Sequence, residues 1–302
     1  MPENIKISSK RTRLWVITVA YLTLAGVGAY LITGYTSLYR QERAAYAEQH
    51  DFKKRLLDMD EWLGERDSPA GGIEKMNQAS HDYRQALIWA GSLALLSFLY
   101  LVLIWQLTRK DDHAYAMSVA LTATALACLI TGLFTPMMEI SAFERDLEIP
   151  LKFKTGLFSL NIDYTQTFKG DLYFYYQSKS IVELITLLFR QQNFVVAISI
   201  LLFSVMIPLS KLLLSGFVLL RPAYWNNAII RFILEKTGKW SMADVFVVAL
   251  FLGYLAFSNM QAGIRAESQV LVGLYFFLGY CLLAIVLPTY LKRFTHSKDP
   301  VS

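Results

Sequence analysis

Apolar residues gather in six long blocks along the chain: about Leu14–Tyr35, Ala86–Leu107, Met117–Ile140, Phe194–Leu220, Ser241–Ser258 and Val270–Leu291. Each holds roughly 18–25 positions, the number a helix rising about 1.5 Å per residue needs to cross about 30 Å of hydrocarbon. A strand would be far shorter, and a helix pairs its backbone groups within one such segment. Glu139 near one end, Lys211 and Asp244 are the Asp, Glu, Lys or Arg residues inside the blocks. The pattern predicts an all-α integral membrane protein with six transmembrane helices and a small extracytoplasmic β-rich insert between the third and fourth. It divides into 1–116, a two-helix hairpin with a charged insert at 36–85, and 117–302, a four-helix module with a β-rich segment at 141–178.

The polar intervals differ in kind. Thr36 to Gln85 is rich in Glu, Gln, Lys, Ala and Leu and predicts a helical hairpin that prolongs the first two spans, turning at Asp67–Gly72. Leu56, Leu57, Trp62 and Leu63 would give it an apolar stripe. Leu147–Lys154, Gly156–Gln166 and Leu172–Tyr176 read as three short strands, with Lys169-Gly170-Asp171 as a turn. Such a sheet is marginal alone and needs helix ends to pack on. Ser180 followed by Glu183 reads as a capping box opening a short helix, Ile181–Arg190. Arg221 to Lys239 mixes cations with Tyr224, Trp225, Ile229 and Phe232, a composition suited to a helix lying in the interface.

Composition and charge narrow the function. Of 302 residues, 55% are hydrophobic and 18% charged, and mean hydropathy is +0.37. A soluble enzyme, a disordered tail and a disulfide scaffold are excluded. Cys128 and Cys281 lie in apolar blocks and read as small buried hydrophobes, so zinc-ribbon and dithiol readings have no ligands. The net charge of +5 has a topological explanation rather than nucleic acid as its partner. Lys6, Lys10, Arg11 and Arg13, then Arg109 and Lys110, then Arg221, Arg231, Lys236 and Lys239, and Lys292, Arg293 and Lys298 fall on one side if both termini are cytoplasmic, against Arg265 alone in the short loop Asn259–Gln269. The apolar core of the first block exceeds a signal-peptide core of about 7–15 residues and reads as a retained signal-anchor. His50, His81, His113 and His296 read as surface residues without metal spacing, and no nucleophile, phosphate-loop or metalloprotease motif is present. The expectation is therefore no enzyme, no cofactor and no metal.

The residues with unusual chemistry are those inside the membrane. An ionisable side chain at the bilayer centre costs about 2.5–3.5 kcal/mol on insertion scales and normally faces a partner or a wet cavity. Lys211 lies about 15 Å along its helix from Arg221, and Asp244 lies near the same end of the fifth span. Pro208 removes a backbone donor one turn before Lys211, and Ser204, Ser210 and Ser241 add polar groups at similar depth. A polar site of Lys211, Asp244, Ser210, Ser241 and Pro208 for cargo or protons is expected, against a bare ion pair that fixes helix packing. Thr135, Pro136 and Glu139 would close the third span, with Glu139 at the interface and Met137 and Met138 as gap-fillers.

Two strings carry a resemblance: Phe203-Ser-Val-Met-Ile-Pro208-Leu-Ser-Lys211-Leu-Leu-Leu, and Gly238-Lys-Trp-Ser-Met-Ala-Asp244-Val-Phe-Val-Val-Ala-Leu. With Thr155-Gly-Leu-Phe-Ser-Leu160, they resemble the paraquat-inducible protein A (PqiA/LetA) family over about Met117 to Leu291. Familiar members carry two modules, each behind a cysteine-rich zinc ribbon. This chain has one module, no ribbon and an N-terminal hairpin in their place, so metal binding is not carried over. The resemblance implies an inner-membrane component of an envelope lipid-transport or membrane-integrity system, moving or loading phospholipid through a membrane cavity beside an MCE-domain periplasmic partner. It also maps the family's Lys and Asp positions onto Lys211 and Asp244. The competing expectation is a non-transporting membrane scaffold or assembly factor that acts through its extracytoplasmic insert.

Overall fold

The computed structural model describes residues 2–62, 71–108, 113–154, 161–236 and 265–296. Among them five helices are long and apolar enough to cross a membrane, within Arg11–Gln49, Glu74–Leu107, His113–Phe134, Phe194–Leu220 and Val272–Thr295. These give a multi-pass membrane protein. The expected fifth span, about Ser241–Ser258, lies outside the described residues, as does most of the turn expected at Asp67–Gly72.

Helix α1 (Pro2–Gln49) runs unbroken from the first apolar block into the charged insert, and α4 (Gly71–Leu107) returns beside it. Polar contacts inside the membrane lock the pair. The rings of Tyr21 and Tyr100 stack with centroids 4.2 Å apart. The hydroxyls of Tyr21 and Ser97, and of Thr18 and Tyr100, share hydrogen bonds of 2.8 Å. Without an excess of apolar attraction between helices in lipid, such bonds and close packing hold the pair together.

Helix α5 (His113–Phe134) is the most enclosed span and packs lengthwise on α10 (Val272–His296). Two glycines permit that approach. A Cβ on Gly132 would lie 2.7 Å from the Phe277 backbone nitrogen, and one on Gly273 would lie 2.7 Å from the Pro136 carbonyl. Met137 and Met138, just past α5, are buried as gap-fillers should be.

The sheet corrects the expected three short strands. Strand β1 (Met138–Lys154) pairs antiparallel with β2 (Asn161–Lys179) in one long hairpin, and β3 (Arg265–Val270) adds to the other edge of β1 over Met138–Phe143. The order is β2-β1-β3. Lys169-Gly170-Asp171 is not a turn between strands but part of an irregularity within the hairpin. Gly170 takes φ 87° opposite Asp146, itself at φ 56°, and the Asp146 carboxylate accepts from the Gly170 amide at 2.8 Å. A glycine within a strand commonly marks such a bulge. Pro150 falls where β1 has no second neighbour among the described residues, which its missing N–H tolerates.

After β2, Ser180 and Glu183 form the expected capping box at the start of α6 (Ile181–Arg190). The fourth span is built from α7 (Phe194–Ile200), a widened π-helical turn at Leu201–Met206 and α8 (Ile207–Leu220). A 3₁₀ turn (Pro222–Asn226) and α9 (Ala228–Lys236) follow; Trp225 and Leu234 point inward, Ile229 and Phe232 outward.

The insert folds back onto the sheet through α2 (Phe52–Leu56) and α3 (Met59–Trp62). The His50 carbonyl accepts from the Tyr173 amide at 2.8 Å, and Arg55 donates to the Lys169 carbonyl at 2.9 Å. Trp62 packs edge-on against Phe168, and the Phe52 ring lies tilted against that of Phe174 with centroids 4.9 Å apart. Two expectations are corrected here. His50 is buried between insert and sheet rather than on the surface, and Leu57, placed in an apolar stripe, is 82% exposed.

Candidate functional site

Lys211 sits on α8 with only 1% of its surface exposed. Its Nζ donates to the Ala284 carbonyl on α10 at 2.7 Å. That acceptor exists for a covalent reason. Pro288 lies inside α10, four residues on, and has no N–H to donate to the carbonyl of residue 284. The proline leaves a main-chain oxygen unsatisfied at the middle of the span, and the ammonium of Lys211 crosses from the neighbouring helix to take it. Ala284 and Leu287 are fully buried, so water does not compete from the lipid side. In a low-dielectric interior a hydrogen bond to a charged donor is worth about 1.5–3 kcal/mol, comparable to the insertion cost of the lysine.

The other expected site residues separate. Pro208 is buried in the first turn of α8, directly after the π-helical turn. That wider turn accommodates a ring that would clash with a regular carbonyl four residues back; here the Ile207 amide reaches the Leu202 carbonyl instead. Ser210 is half-buried and its hydroxyl donates back to the Ile207 carbonyl at 2.9 Å, so its hydroxyl proton is taken by its own helix. Ser215, which the sequence reading did not single out, is fully buried and donates to the Lys211 carbonyl at 2.8 Å. Asp244 and Ser241 lie outside the described residues. The carbonyl that Lys211 uses is left open by Pro288 rather than by Pro208.

A second charged centre forms where α1 meets the sheet. Glu139 is the second residue of β1, five positions past the end of α5, and is 2% exposed. Arg43 of α1 donates to its Oε1 from Nη2 at 2.8 Å and from Nε at 3.1 Å. The Tyr39 hydroxyl donates to Oε2 at 2.6 Å. The guanidinium also lies over the Tyr176 ring, 5.9 Å from its centroid. Burial, then the negative charge of Glu139, pushes the Tyr176 hydroxyl well above its usual range, so it stays protonated at physiological pH. One turn along α1, Arg40 pairs with Glu183, the residue that closes the α6 capping box. Burial alone would raise that carboxyl, but the bonds from Arg40 and from the Ser180 amide outweigh it and hold Glu183 below its usual range. The sequence reading missed this centre because the partners stand 96 and 143 positions apart. A carboxylate inside an apolar block was the available signal.

Among the described residues no cluster of His, Cys, Asp and Glu has metal-binding geometry.

Residues 169–295 match the family model of paraquat-inducible protein A. The match bears out the resemblance over that stretch, including both quoted motif strings, while residues 117–168 lie outside it. No curated protein and no solved structure matches the chain.

Proposed function

We propose that this chain, similar over residues 169–295 to paraquat-inducible protein A, handles phospholipid in the cytoplasmic membrane of a bacterial envelope, with both termini on the cytoplasmic side. One observation carries the reading to a site: Lys211, within the matched stretch, places a fully buried amine at mid-depth against a carbonyl that Pro288 leaves open. One acceptor cannot occupy the three donors of an ammonium. The remaining donors suit a lipid phosphate or, with Asp244 of the neighbouring motif, a proton relay. In this reading the sheet and the insert exchange cargo with an MCE-type partner outside the membrane.

The test separates chemistry from packing. Lys211→Met keeps the length and volume of the side chain while removing its charge, and Asp244→Asn keeps the shape of the acid. Both should lower lipid photo-cross-linking and restoration of the envelope barrier in a deletion strain by at least about tenfold, the scale of one charged hydrogen bond. Immunoblots should show normal protein levels. Loss of the protein itself, or full activity in both variants, would sink the assignment.

A scaffold reading keeps one favourable observation: Leu57 and Met59, on the insert, are 82% and 72% exposed. Exposed apolar side chains on an extramembrane segment are where a protein partner would dock.

A further inference from the structure

Toward the end of the bundle that carries Arg11 and Arg13, α1 and α4 form an open, mainly apolar groove of about 630 Å³ that runs along both sides of the Tyr21–Tyr100 stack. Val16, Ala20 and Leu24 line it from α1, and Leu99 and Leu103 from α4. A second hollow of about 430 Å³ continues past Val16 to Thr12, Arg13 and Leu107. Volumes of this size are those of small-molecule sites. From Thr12 to Leu24 the helix rises about 18 Å, little more than half of a hydrocarbon core of about 30 Å. The groove therefore serves one leaflet and is no passage across the membrane.

The residues around its mouth fix the depth of the headgroups. Trp105 meets His113 edge-on at 4.8 Å, the Arg11 guanidinium lies over the Tyr115 ring and that of Arg293 over Tyr290. Tryptophan, tyrosine and arginine in one band mark a membrane interface. Arg11 and Arg293 are thus taken up by aromatic faces. Arg13, over the groove mouth, has no carboxylate partner among the described residues. An apolar slot one leaflet deep, closed at headgroup level by a guanidinium with no carboxylate partner among the described residues, is complementary to a phosphate carrying an acyl chain. Arginine suits that oxyanion better than lysine because its planar fork donates two bonds at once.

We propose that the α1–α4 groove binds one anionic phospholipid, with its phosphate on Arg13 and one acyl chain along Val16, Ala20 and Leu24. This site is separate from Lys211 and does not rest on the transport reading. A lipid held here would tie the hairpin to the leaflet at its cationic end.

Full-length protein in mild detergent, loaded with phosphatidylglycerol and phosphatidylcholine of matched chains, tests this by native mass spectrometry. The wild type should retain one phosphatidylglycerol in preference to phosphatidylcholine. Arg13→Gln should reduce that preference about fivefold, the worth of one cation near an anionic surface, and Arg13→Lys should restore most of it. Ala20→Phe, filling the groove, should release both lipids, and glycerol phosphate should not compete. Lys211→Met should leave retention unchanged. Equal retention in wild type and Arg13→Gln, insensitivity to Ala20→Phe, or loss in Lys211→Met alone would overturn the assignment.

Discussion

A lysine in a membrane helix is tolerated when its ammonium finds a fixed dipole, and here a proline on another helix supplies one. Pro288 withholds the amide that would occupy the Ala284 carbonyl, and the Lys211 amine donates to that oxygen at 2.7 Å. Pro288→Ala should return an internal donor to α10, draw the carbonyl toward the helix axis and weaken the cross-helix bond. The expected outcome is a protein at least as thermostable as wild type in detergent, yet about tenfold less active in lipid cross-linking, the worth of one charged hydrogen bond. Unchanged activity would mean that the Ala284 carbonyl does not position Lys211. Lys211 was legible in the sequence because a charge interrupts an apolar block. Its partner was not, since the acceptor is a backbone atom and reveals itself only through a proline 77 positions away.

At the scale of elements, the membrane helices were readable because their length is imposed by the thickness of the bilayer. Five of the six expected blocks overlap described helices, the third ending at Phe134 so that its last residues enter β1, and the remaining block lies outside the described residues. The strands were less readable. Turn residues at Lys169-Gly170-Asp171 suggested a break, whereas Gly170 supplies the positive φ of a bulge within one continuous hairpin. Strand β3 could not be assigned locally, because six residues in a short polar loop become a strand only when β1 offers an edge more than a hundred positions away. Helix packing makes a sharper prediction. The α5–α10 contact depends on Gly132 having no Cβ, since any would meet the Phe277 backbone at 2.7 Å. Gly132→Ala must push the helices apart and should cost about 1–3 kcal/mol, the range for overpacking a close contact. Thermal unfolding in detergent measures it. An exposed control, Gly26→Ala, has nothing within 4 Å of its added methyl and should leave the midpoint at or slightly above wild type.

Across the whole molecule, the N-terminal hairpin is not an appendage but is clamped to the sheet by buried charge. Arg43 and Tyr39 saturate Glu139 at the base of β1, Arg40 pairs with Glu183 at the start of α6, and α2 closes over β2 through His50 and Arg55. Deleting the insert would remove Arg43 and strand a buried carboxylate, so such a deletion cannot tell a docking surface from a structural clamp. Point variants can. Arg43→Ala leaves Glu139 charged and unpaired and should cost about 3–5 kcal/mol. Arg43→Met with Glu139→Met together should recover most of that loss, because neither charge then remains buried. Leu57→Glu and Met59→Glu touch only exposed positions and should leave the unfolding midpoint within the scatter of surface substitutions, about 0.5 kcal/mol. If those two variants nevertheless abolish restoration of the envelope barrier while lipid cross-linking at Lys211 persists, the insert is the working surface and the scaffold reading gains. If they are silent while Lys211→Met is inactive, the insert's part is to clamp the sheet over the helices, and the intramembrane lysine carries the activity.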